Sequence, residues 1–268
     1  MSSPGSVARP DPSGKNGAAP LLVAVIPALD AGATVGAVVA GALRHVPRVI
    51  VVDDGSTDDT AARARQAGAE VIRHSINRGK GAALATAFEA LLSETRAAAP
   101  EREGAFAPPG GLEAVITLDA DGQHDPEDIP AFADLYGRER PALIVGSRNR
   151  DFARMWGPRR AMNRFSSASL RVFTGVDLPD SQSGFRLYDA VFLARLRLEG
   201  RRYEAEMEAL MRAAEWRLPI ASVPIRLLVV DGRATSHYRP LRDTFRIVGT
   251  VLRQWLRRRG APPARGRT

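Results

Sequence analysis

Two aspartates separated by one residue are the first candidates for chemistry in this sequence. Asp119 and Asp121 follow the apolar run AVITL, and Gly122 allows the chain to turn sharply after them. Carboxylates at this spacing can bind a hard divalent cation through oxygen and leave coordination positions for a diphosphate. The motif therefore predicts a metal site. The alternative is a chance Asp-x-Asp pattern in a solvated turn, with His124 as a surface histidine.

A second acidic motif, VVDDGSTDDT, follows another apolar run. Its first two carboxylates, Asp53 and Asp54, can accept hydrogen bonds from the ribose hydroxyls or a base N–H of a nucleoside. The alternative is an aspartate turn followed by a helix whose N-cap is Ser56 or Thr57. Both interpretations place the motif at the end of a strand.

A third polar segment, NRGKGAALATAF, starts at Asn77. It lacks the glycine and lysine spacing of a P-loop. Arg78 and Lys80 nevertheless precede a predicted helix, where cations and unbonded backbone N–H groups together favour a bound phosphate. The segment predicts a nucleotide contact, and the alternative is an ordinary helix start flanked by glycines.

The elements that must position these residues are short apolar strands alternating with alanine-rich helices. The strands are apolar on both faces, which is typical of a parallel sheet that helices cover on both sides. Ligands bind such a sheet at the carboxyl ends of the strands, so we predict an α/β fold with a mostly parallel sheet and a site at that edge. The predicted strands are 21–26, 48–54, 70–74, 113–119 and 142–148, and the predicted helices are 34–45, 58–67, 79–98 and 126–137.

The pattern changes after residue 148. The predicted elements of the second half are a basic helix over 159–173, a polar turn at 180–186, an acidic helix over 203–216 and a strand over 221–228. Glu204, Glu206 and Glu208 recur too closely to share one face of the acidic helix, so most of them are expected on a solvated flank. Residues 98–111 are rich in Pro and Gly and are expected to form a surface loop.

Composition excludes several classes of protein. The 268 residues contain no cysteine, so disulfides, thiolate metal sites and a cysteine nucleophile are ruled out. No apolar run approaches the roughly 18–20 residues of a membrane-spanning helix. Residues 1–20 lack the apolar core of a signal peptide and are expected to form a disordered leader. We therefore expect a cytoplasmic protein.

The net charge of +8 is concentrated at the C-terminal end of the chain. From Arg239 onward there are nine arginines and one acidic residue, Asp243. At about 100° per residue, the apolar side chains of 241–259 fall on one arc with arginines on its flank. Such a helix can lie in a membrane interface and bind anionic head groups. The alternative is that the same stripe packs on the protein's own core.

Taken together, the motifs resemble those of the family 2 glycosyltransferases, which have the GT-A fold. The resemblance covers about residues 21–252 and becomes more specific at VGSRN, DSQSGFRLYD and VPIRLLVVDGRATSHYRP. These segments are similar to the polyprenyl-phosphate branch, which includes dolichol-phosphate mannosyltransferases. The resemblance implies metal-dependent transfer of a sugar from a nucleotide-diphosphate sugar to a lipid phosphate.

The resemblance also implies roles for individual residues. The nucleoside pocket would be lined by Pro27, Leu29, Asp30 and Asp53, and the diphosphate would be covered by Arg226, Ser236 and His237. A Mg²⁺ or Mn²⁺ ion would be held by Asp119, Asp121 and Gln123. The acceptor phosphate would be bound by Arg148 and Arg159, which lie in an arginine-rich stretch with no acidic target nearby in sequence. The candidate catalytic residues are thus Asp121, Arg148 and Arg159, and Asp54, Arg78, Lys80 and Asp119 complete the candidate nucleotide-binding set.

Three positions depart from the family's pattern. Asp30-Ala31 replaces the usual Asn-Glu after the first strand, Asn163 stands where a serine of the acceptor site is expected, and His237 replaces a lysine.

Two other functions are compatible with parts of the sequence. An ionised lipid phosphate needs no general base, whereas a sugar hydroxyl acceptor in polysaccharide or cell-envelope synthesis needs one, for which Asp180 or Glu204 is the candidate. From another class, the alternative is a basic protein that binds an anionic surface without catalysis. The chain has neither an RNA-recognition motif nor a helix-turn-helix, so we expect no nucleic-acid partner.

The expected organisation is a single glycosyltransferase domain that follows a disordered leader and precedes a helix and a disordered tail. The expected segments are a leader at 1–20, the domain at 21–240, a basic amphipathic helix at 241–259 and a disordered tail at 260–268. Within the domain, residues 21–150 are expected to bind the nucleotide sugar and residues 151–240 the acceptor. The helix would hold the enzyme on the inner face of the membrane.

Overall fold

The computed structural model describes residues 21–97, 111–148, 157–200, 202 and 204–228. The predicted leader 1–20, helix 241–259 and tail 260–268 lie outside these residues, as does nearly all of the predicted loop 98–111. In the part of the chain that is described, no helix is both long enough and apolar enough to cross a membrane.

Strands and helices alternate along the described chain as far as α6, and the alternation up to β5 follows the sequence pattern. The strands are β1 (Leu22–Ala28), β2 (Arg48–Asp53), β3 (Glu70–Arg73), β4 (Ala114–Thr117), β5 (Leu143–Ser147), β6 (Arg186–Asp189) and β7 (Ile220–Pro224). The helices are α1 (Val35–Leu43), α2 (Thr60–Gln66), α3 (Lys80–Ala97), α4 (Ile129–Glu139), α5 (Gly157–Thr174), α6 (Ala190–Arg195) and α7 (Glu204–Glu215). A 3₁₀ turn at Pro126–Asp128 precedes α4.

Within the described residues, the seven strands form one sheet in the order β3-β2-β1-β4-β6-β5-β7. Neighbouring strands are parallel except at β6, which runs antiparallel to both β4 and β5. At the carboxyl edge, Ala28 of β1 pairs with Asp53 of β2, and Asp53 pairs in turn with Arg73 of β3. The predicted α/β class with a mostly parallel sheet is therefore confirmed.

Successive residues of the central strand β1 pack into two apolar cores on opposite faces of the sheet. Val23 and Val25 belong to the core that α3, α6 and α7 cover. Ala24 and Ile26 belong to the core under α1, α2 and α4. Because strand side chains alternate between faces, a strand between two helical layers must be apolar at every position. This double packing gives the carboxyl edge a rigid base.

The sequence patterns do not predict β6 and α6. β6 begins inside the segment expected to be a polar turn, and α6 follows it directly. The first residue of β6, Arg186, pairs with Thr117 of β4 and with Val145 of β5. A four-residue strand that begins with a charged residue lacks the apolar run on which strand prediction depends.

The guanidinium group of Arg186 is completely buried and donates hydrogen bonds to three backbone carbonyls. Nε donates to the carbonyl of Ser183 at 2.8 Å, and Nη2 to that of Ser181 at 2.8 Å. Nη1 donates to the carbonyl of Glu206 at 2.5 Å. These bonds compensate for burying the charge, which is otherwise very costly. One side chain thus joins the turn before β6 to the first turn of α7.

The prediction that most glutamates of the acidic helix lie on a solvated flank is wrong for two of the three. Glu206 and Glu208 are only 5% and 2% exposed. Glu208 Oε2 accepts hydrogen bonds from the backbone N–H groups of Glu199 and Gly200 at 2.9 and 3.0 Å. Residues two apart on a helix point in different directions. Glu208 can therefore bind the loop at residues 199–200 while Glu206 points to Lys80.

We expect Arg186→Leu to lower the free energy of unfolding by about 3–5 kcal/mol, because three buried carbonyls lose their donor. Urea denaturation at neutral pH measures the change. The control Arg65→Leu removes an exposed arginine from α2 and should change stability by no more than about 0.5 kcal/mol. Equal stability of the two variants would show that Arg186 does not organise this region.

Candidate active site

Polar side chains meet at the carboxyl ends of β1, β2 and β4. Asp53 ends β2, while Asp119 and Asp121 follow β4, which lies on the other side of β1. Because β6 is antiparallel, its amino end lies at the same edge and brings Gly184 there. Lys80 reaches the edge from the start of α3. The three predicted motifs therefore occupy one edge of the sheet.

The loops after β1 and β2 are hydrogen-bonded to each other. Asp30 is exposed and has a φ of 46°. Its N–H donates to Ser56 Oγ at 2.9 Å, and its Oδ1 accepts from the N–H of Thr57 at 2.8 Å. The alternative in which Ser56 or Thr57 caps the next helix is wrong, since the N-cap of α2 is Asp59. These polar residues instead fix the two loops against each other.

The predicted nucleoside pocket begins with residues at the end of β1. Pro27 is buried and Leu29 is half-buried. On the neighbouring strand, Asp53 is buried and its Oδ1 accepts from the N–H of Ser56 at 2.9 Å. Arg73 Nε lies 3.1 Å from Asp53 Oδ2. Asp53 thus has partners within the protein, and its contact with a nucleoside stays a prediction.

Asp54 holds the loop that leads into α3. Its carboxylate accepts hydrogen bonds from the N–H groups of Arg78 and Gly79 at 2.9 and 2.7 Å. His74 Nδ1 lies 2.7 Å from Asp54 Oδ1, and His74 Nε2 lies 3.0 Å from Thr86 Oγ1. The backbone of Arg78 is fixed in this way, while the residue itself is exposed. Asp54 therefore positions the start of α3, and its contact with a nucleotide stays a prediction.

At the centre of the site, the ammonium group of Lys80 bridges two carboxylates. Nζ lies 2.5 Å from Asp119 Oδ1 and 2.8 Å from Glu206 Oε1. Gly184 permits this approach, because a Cβ there would come within 2.5 Å of Lys80 Nζ and 2.7 Å of both Asp119 oxygens. Burial alone would lower the pKa of Lys80, but the two carboxylates outweigh it and raise that pKa. Lys80 therefore stays cationic.

The two aspartates of the Asp119–Asp121 motif differ in their pKa values. Burial alone would raise both. At Asp119 the charge of Lys80 outweighs burial and lowers the pKa to about 2. At Asp121 the charge of Asp119 acts in the same direction as burial, so its pKa is raised. The pair thus carries negative charge that a cation would stabilise.

His124 is buried behind the metal motif, so the alternative of a surface histidine is wrong. Its Nδ1 accepts a hydrogen bond from the N–H of Asp119 at 3.3 Å. Its ring packs against Phe185, with centroids 5.4 Å apart. Burial lowers the pKa of His124 despite the nearby aspartates. The histidine therefore supports the backbone of the motif in its neutral form.

Asp119 and Asp121 suit a divalent cation because they offer hard oxygen donors and excess negative charge. The N–H of Gln123 donates to Asp121 Oδ1 at 3.0 Å, which holds that carboxylate in the turn. The described residues contain no cluster of three or more His, Cys, Asp or Glu side chains that could hold a metal ion. The two aspartates therefore fit a divalent cation by their chemistry, and Gln123 as a further ligand stays a prediction.

Arg148, which follows β5, forms a bidentate ion pair with Asp180. Nε donates to Oδ2 at 2.6 Å and Nη2 to Oδ1 at 2.9 Å, and the side chain of Asp180 is fully buried. The sequence shows no acidic partner near Arg148, but the fold supplies one from 32 positions away. Burial would raise the pKa of Asp180, and Arg148 outweighs burial and lowers it. Asp180 is therefore poorly suited to act as a general base.

The buried face of α5 is polar where it meets the loop that carries Asp180. Ser166 Oγ and Ser167 Oγ each lie 3.1 Å from Ser181 Oγ. One turn earlier, Asn163 is fully buried, and neither of its amide atoms has a hydrogen-bond partner in the described structure. Arg159 lies on the same helix, but its side chain is outside the described part of the chain.

Residues 225–228 fold back over the metal motif. Leu227 pairs with His124 in an antiparallel bridge. Arg226 Nε donates to Asp128 Oδ1 at 3.0 Å, and Nη2 lies 3.1 Å from Asp125 Oδ2. Arg226 is thus bound to the turn before α4, and its contact with a diphosphate stays a prediction. Ser236 and His237 lie outside the described residues.

A mostly parallel α/β sheet with an Asp-x-Asp motif after a central strand is the arrangement that the resemblance to nucleotide-sugar-dependent glycosyltransferases of the GT-A class implies. The chain belongs to this class. It is a member of glycosyl transferase family 2, whose pattern it matches over residues 23–197, more than half of its length.

Relatives and a solved structure agree with this assignment. The UDP-N-acetylglucosamine–dolichyl-phosphate N-acetylglucosaminyltransferase of Methanococcus voltae is 28% identical over 234 residues, which cover 79% of this chain and 87% of the relative. The undecaprenyl-phosphate mannosyltransferase of Micrococcus luteus is 28% identical over 188 residues, which cover 66% and 70%. The fold is similar to that of Mycobacterium tuberculosis glucosyl-3-phosphoglycerate synthase crystallised with Mn²⁺, UDP and glucosyl-3-phosphoglycerate, with a TM-score of 0.61, 24% identity, and coverage of 91% of this chain and 82% of that one.

The sequence patterns fail to identify three residues of the site. Arg186 is polar and lies in an apparent turn, and the position of Glu206 depends on how α7 packs across the sheet edge. Gly184 offers a usable signal, since a glycine among polar residues indicates a place where the backbone approaches other atoms closely.

We expect Asp180→Asn to lower the free energy of unfolding at neutral pH and to make that free energy depend less on acid pH. Because the pKa of Asp180 is lowered on folding, the pair with Arg148 stabilises the protein above the unfolded-state pKa of about 3.9. That contribution is lost as the pH falls through the lower folded-state pKa. The variant should be less stable at pH 7, and its free energy of unfolding should decline less between about pH 5 and pH 2.

Denaturant unfolding at several pH values measures this difference. Asp177→Asn is the matched control, because Asp177 is 74% exposed and lies 3.7 Å from the exposed Arg171. An unchanged acid dependence in Asp180→Asn would contradict the assigned role of the pair.

Proposed function

We propose that this glycosyltransferase transfers a sugar from a nucleotide-diphosphate sugar to the phosphate of a polyprenyl phosphate. The observation that carries the proposal is the juxtaposition of two charged groups at one sheet edge. Lys80 and the Asp119–Asp121 motif form the first group. The Arg148–Asp180 pair forms the second, and the turn that carries Asp180 also places Gly184 against Lys80 and Asp119. The two relatives named above, which act on dolichyl and undecaprenyl phosphates, support the acceptor class.

The donor would bind across the ends of β1, β2 and β4. Its nucleoside would lie against the linked loops after β1 and β2, and its diphosphate would lie beside Lys80 and Arg78. Asp119, Asp121 and Gln123 would hold Mg²⁺ or Mn²⁺, and the crystallised complex of the similar fold with Mn²⁺ and UDP supports this choice. A bound metal would supply Lewis-acid stabilisation of the departing diphosphate. Lys80 adds a fixed positive charge at the same place.

The acceptor phosphate would attack the anomeric carbon directly. Its oxygen forms the new bond while the bond from that carbon to the nucleoside diphosphate breaks. The phosphate is already ionised near neutral pH, so no side chain has to remove a proton. The ion-paired state of Asp180 makes one of the two candidate bases unsuitable, which supports a mechanism without a base. Arg148, held in place by Asp180, and Arg159 would bind the phosphate, to which arginine can form two parallel hydrogen bonds.

The proposal extends to the membrane from which the lipid acceptor comes. Residues 241–259 would form a helix with an apolar stripe and flanking arginines, which would bind the inner, anionic face of the membrane. At about 1 kcal/mol per arginine near an anionic surface, this helix would keep the enzyme beside its acceptor.

We expect the purified protein to transfer label from a nucleotide sugar to undecaprenyl phosphate, giving a product that extracts into organic solvent. Each of a set of labelled UDP- and GDP-sugars is tested with Mn²⁺ present. Asp121→Asn should reduce the rate about a hundredfold or more, since metal stabilisation is worth several kcal/mol. The exposed Asp134 on α4 provides the control Asp134→Asn. Label found only on a water-soluble glycan would overturn the lipid-phosphate acceptor.

We expect the full chain to co-sediment with vesicles that contain anionic lipid, less with neutral vesicles, and less as salt rises. A chain that ends before Leu241 should lose this binding and retain the thermal unfolding transition of the domain. Equal binding to both kinds of vesicle, or no loss on truncation, would contradict the membrane role of the helix.

A further inference from the structure

A carboxylate from outside the Asp-x-Asp motif reaches the centre of the proposed donor site. Glu206 lies in the first turn of α7, and its Oε1 is 2.8 Å from Lys80 Nζ. Its backbone carbonyl accepts from Arg186, so the helix turn that carries it is fixed to β6. Glu206 is therefore held in place by contacts of both its side chain and its backbone.

The two carboxylates that share Lys80 differ in their access to a ligand. The side chain of Asp119 is 28% exposed, whereas that of Glu206 is 6% exposed. A cation can therefore reach Asp119 more readily than Glu206. When a cation binds Asp119, it must compete with the ammonium group of Lys80 for the same carboxylate. How readily Asp119 exchanges Lys80 for the cation depends on whether Lys80 has a second anionic partner.

We infer that Glu206 is a positioning residue that keeps Lys80 paired when Asp119 binds the divalent cation. It acts through Lys80 and contacts neither the metal nor the sugar. With Glu206 present, Asp119 can turn from Lys80 to the cation while the mostly shielded ammonium group keeps a carboxylate beside it. Loss of both carboxylates from Lys80 would be strongly unfavourable. This inference rests on the proposed donor site and adds a residue to it.

The test measures Mn²⁺ binding rather than turnover. The probe is Mn²⁺ alone, followed by the electron paramagnetic resonance signal of the free ion, and then Mn²⁺ with UDP, followed by calorimetry. Glu206→Gln keeps the shape of the side chain and removes its charge, so Lys80 should pair more strongly with Asp119. We expect the Mn²⁺ concentration for half-maximal binding to rise roughly tenfold, the scale of one charged hydrogen bond.

A double-mutant cycle separates this role from a merely structural one. In a Lys80→Met background the competing ammonium group is absent, so adding Glu206→Gln should leave the Mn²⁺ requirement unchanged. Lys80→Met by itself should bind Mn²⁺ alone more tightly than the wild type. The matched control is Glu208→Gln, which removes another buried carboxylate of α7 that binds the 199–200 loop. It should lower thermal stability without raising the Mn²⁺ requirement.

The outcomes distinguish the inference from the function on which it rests. Absence of Mn²⁺ binding by the wild type would overturn the proposed donor site itself. Normal binding by the wild type with an equal effect of Glu206→Gln in both backgrounds would overturn only the role of Glu206. Should Glu206→Gln fail to fold, Lys80→Met still decides, because Mn²⁺ binding no tighter than in the wild type means that Lys80 does not compete for Asp119.

Discussion

The buried guanidinium group of Arg186 determines how the second half of the chain meets the first. Its position in β6 places it between β4 and β5, and its three hydrogen bonds fix the turn before β6 and the start of α7. The turn before β6 carries Asp180, which binds Arg148. It also carries Gly184, which lies against Lys80 and Asp119. Much of the geometry of the site thus depends on one arginine that would contact no substrate.

The ion pairs of the site differ in kind from those on the surface of the protein. Arg48 binds Glu70 and Glu94 at 2.6 Å, but both carboxylates are about half exposed, and such pairs contribute roughly 0–1 kcal/mol. The Lys80 and Arg148 pairs are mostly shielded from water, where charges interact more strongly and reorganise less. These pairs therefore orient the charged groups before any ligand arrives, in addition to the stability that the Arg148–Asp180 pair provides.

The sequence predicts the parts of the site that depend on neighbouring residues. The Asp119–Asp121 motif and the strands on either side of it are visible as an apolar run followed by acids, and the parallel sheet then brings Asp53 and Asp119 to one edge. The partners of Lys80 and Arg148 are not predictable in this way, because Glu206 and Asp180 come from elements that pack there only in the folded chain. The antiparallel β6 escapes prediction for a related reason, since burial of Arg186 depends on carbonyls from three separate positions.

The bridge between His124 and Leu227, together with the bonds from Arg226 to the turn before α4, ties two distant parts of the chain. The backbone N–H of Arg226 donates to Asp128, which lies 98 positions earlier in the chain. This hydrogen bond therefore closes a loop of the chain that runs from Asp128 to Arg226. A single break in the chain after β5 would therefore leave two fragments still joined through β6, β7 and this bridge. The described residues before and after such a break are therefore parts of one folding unit, and neither part is a detachable module.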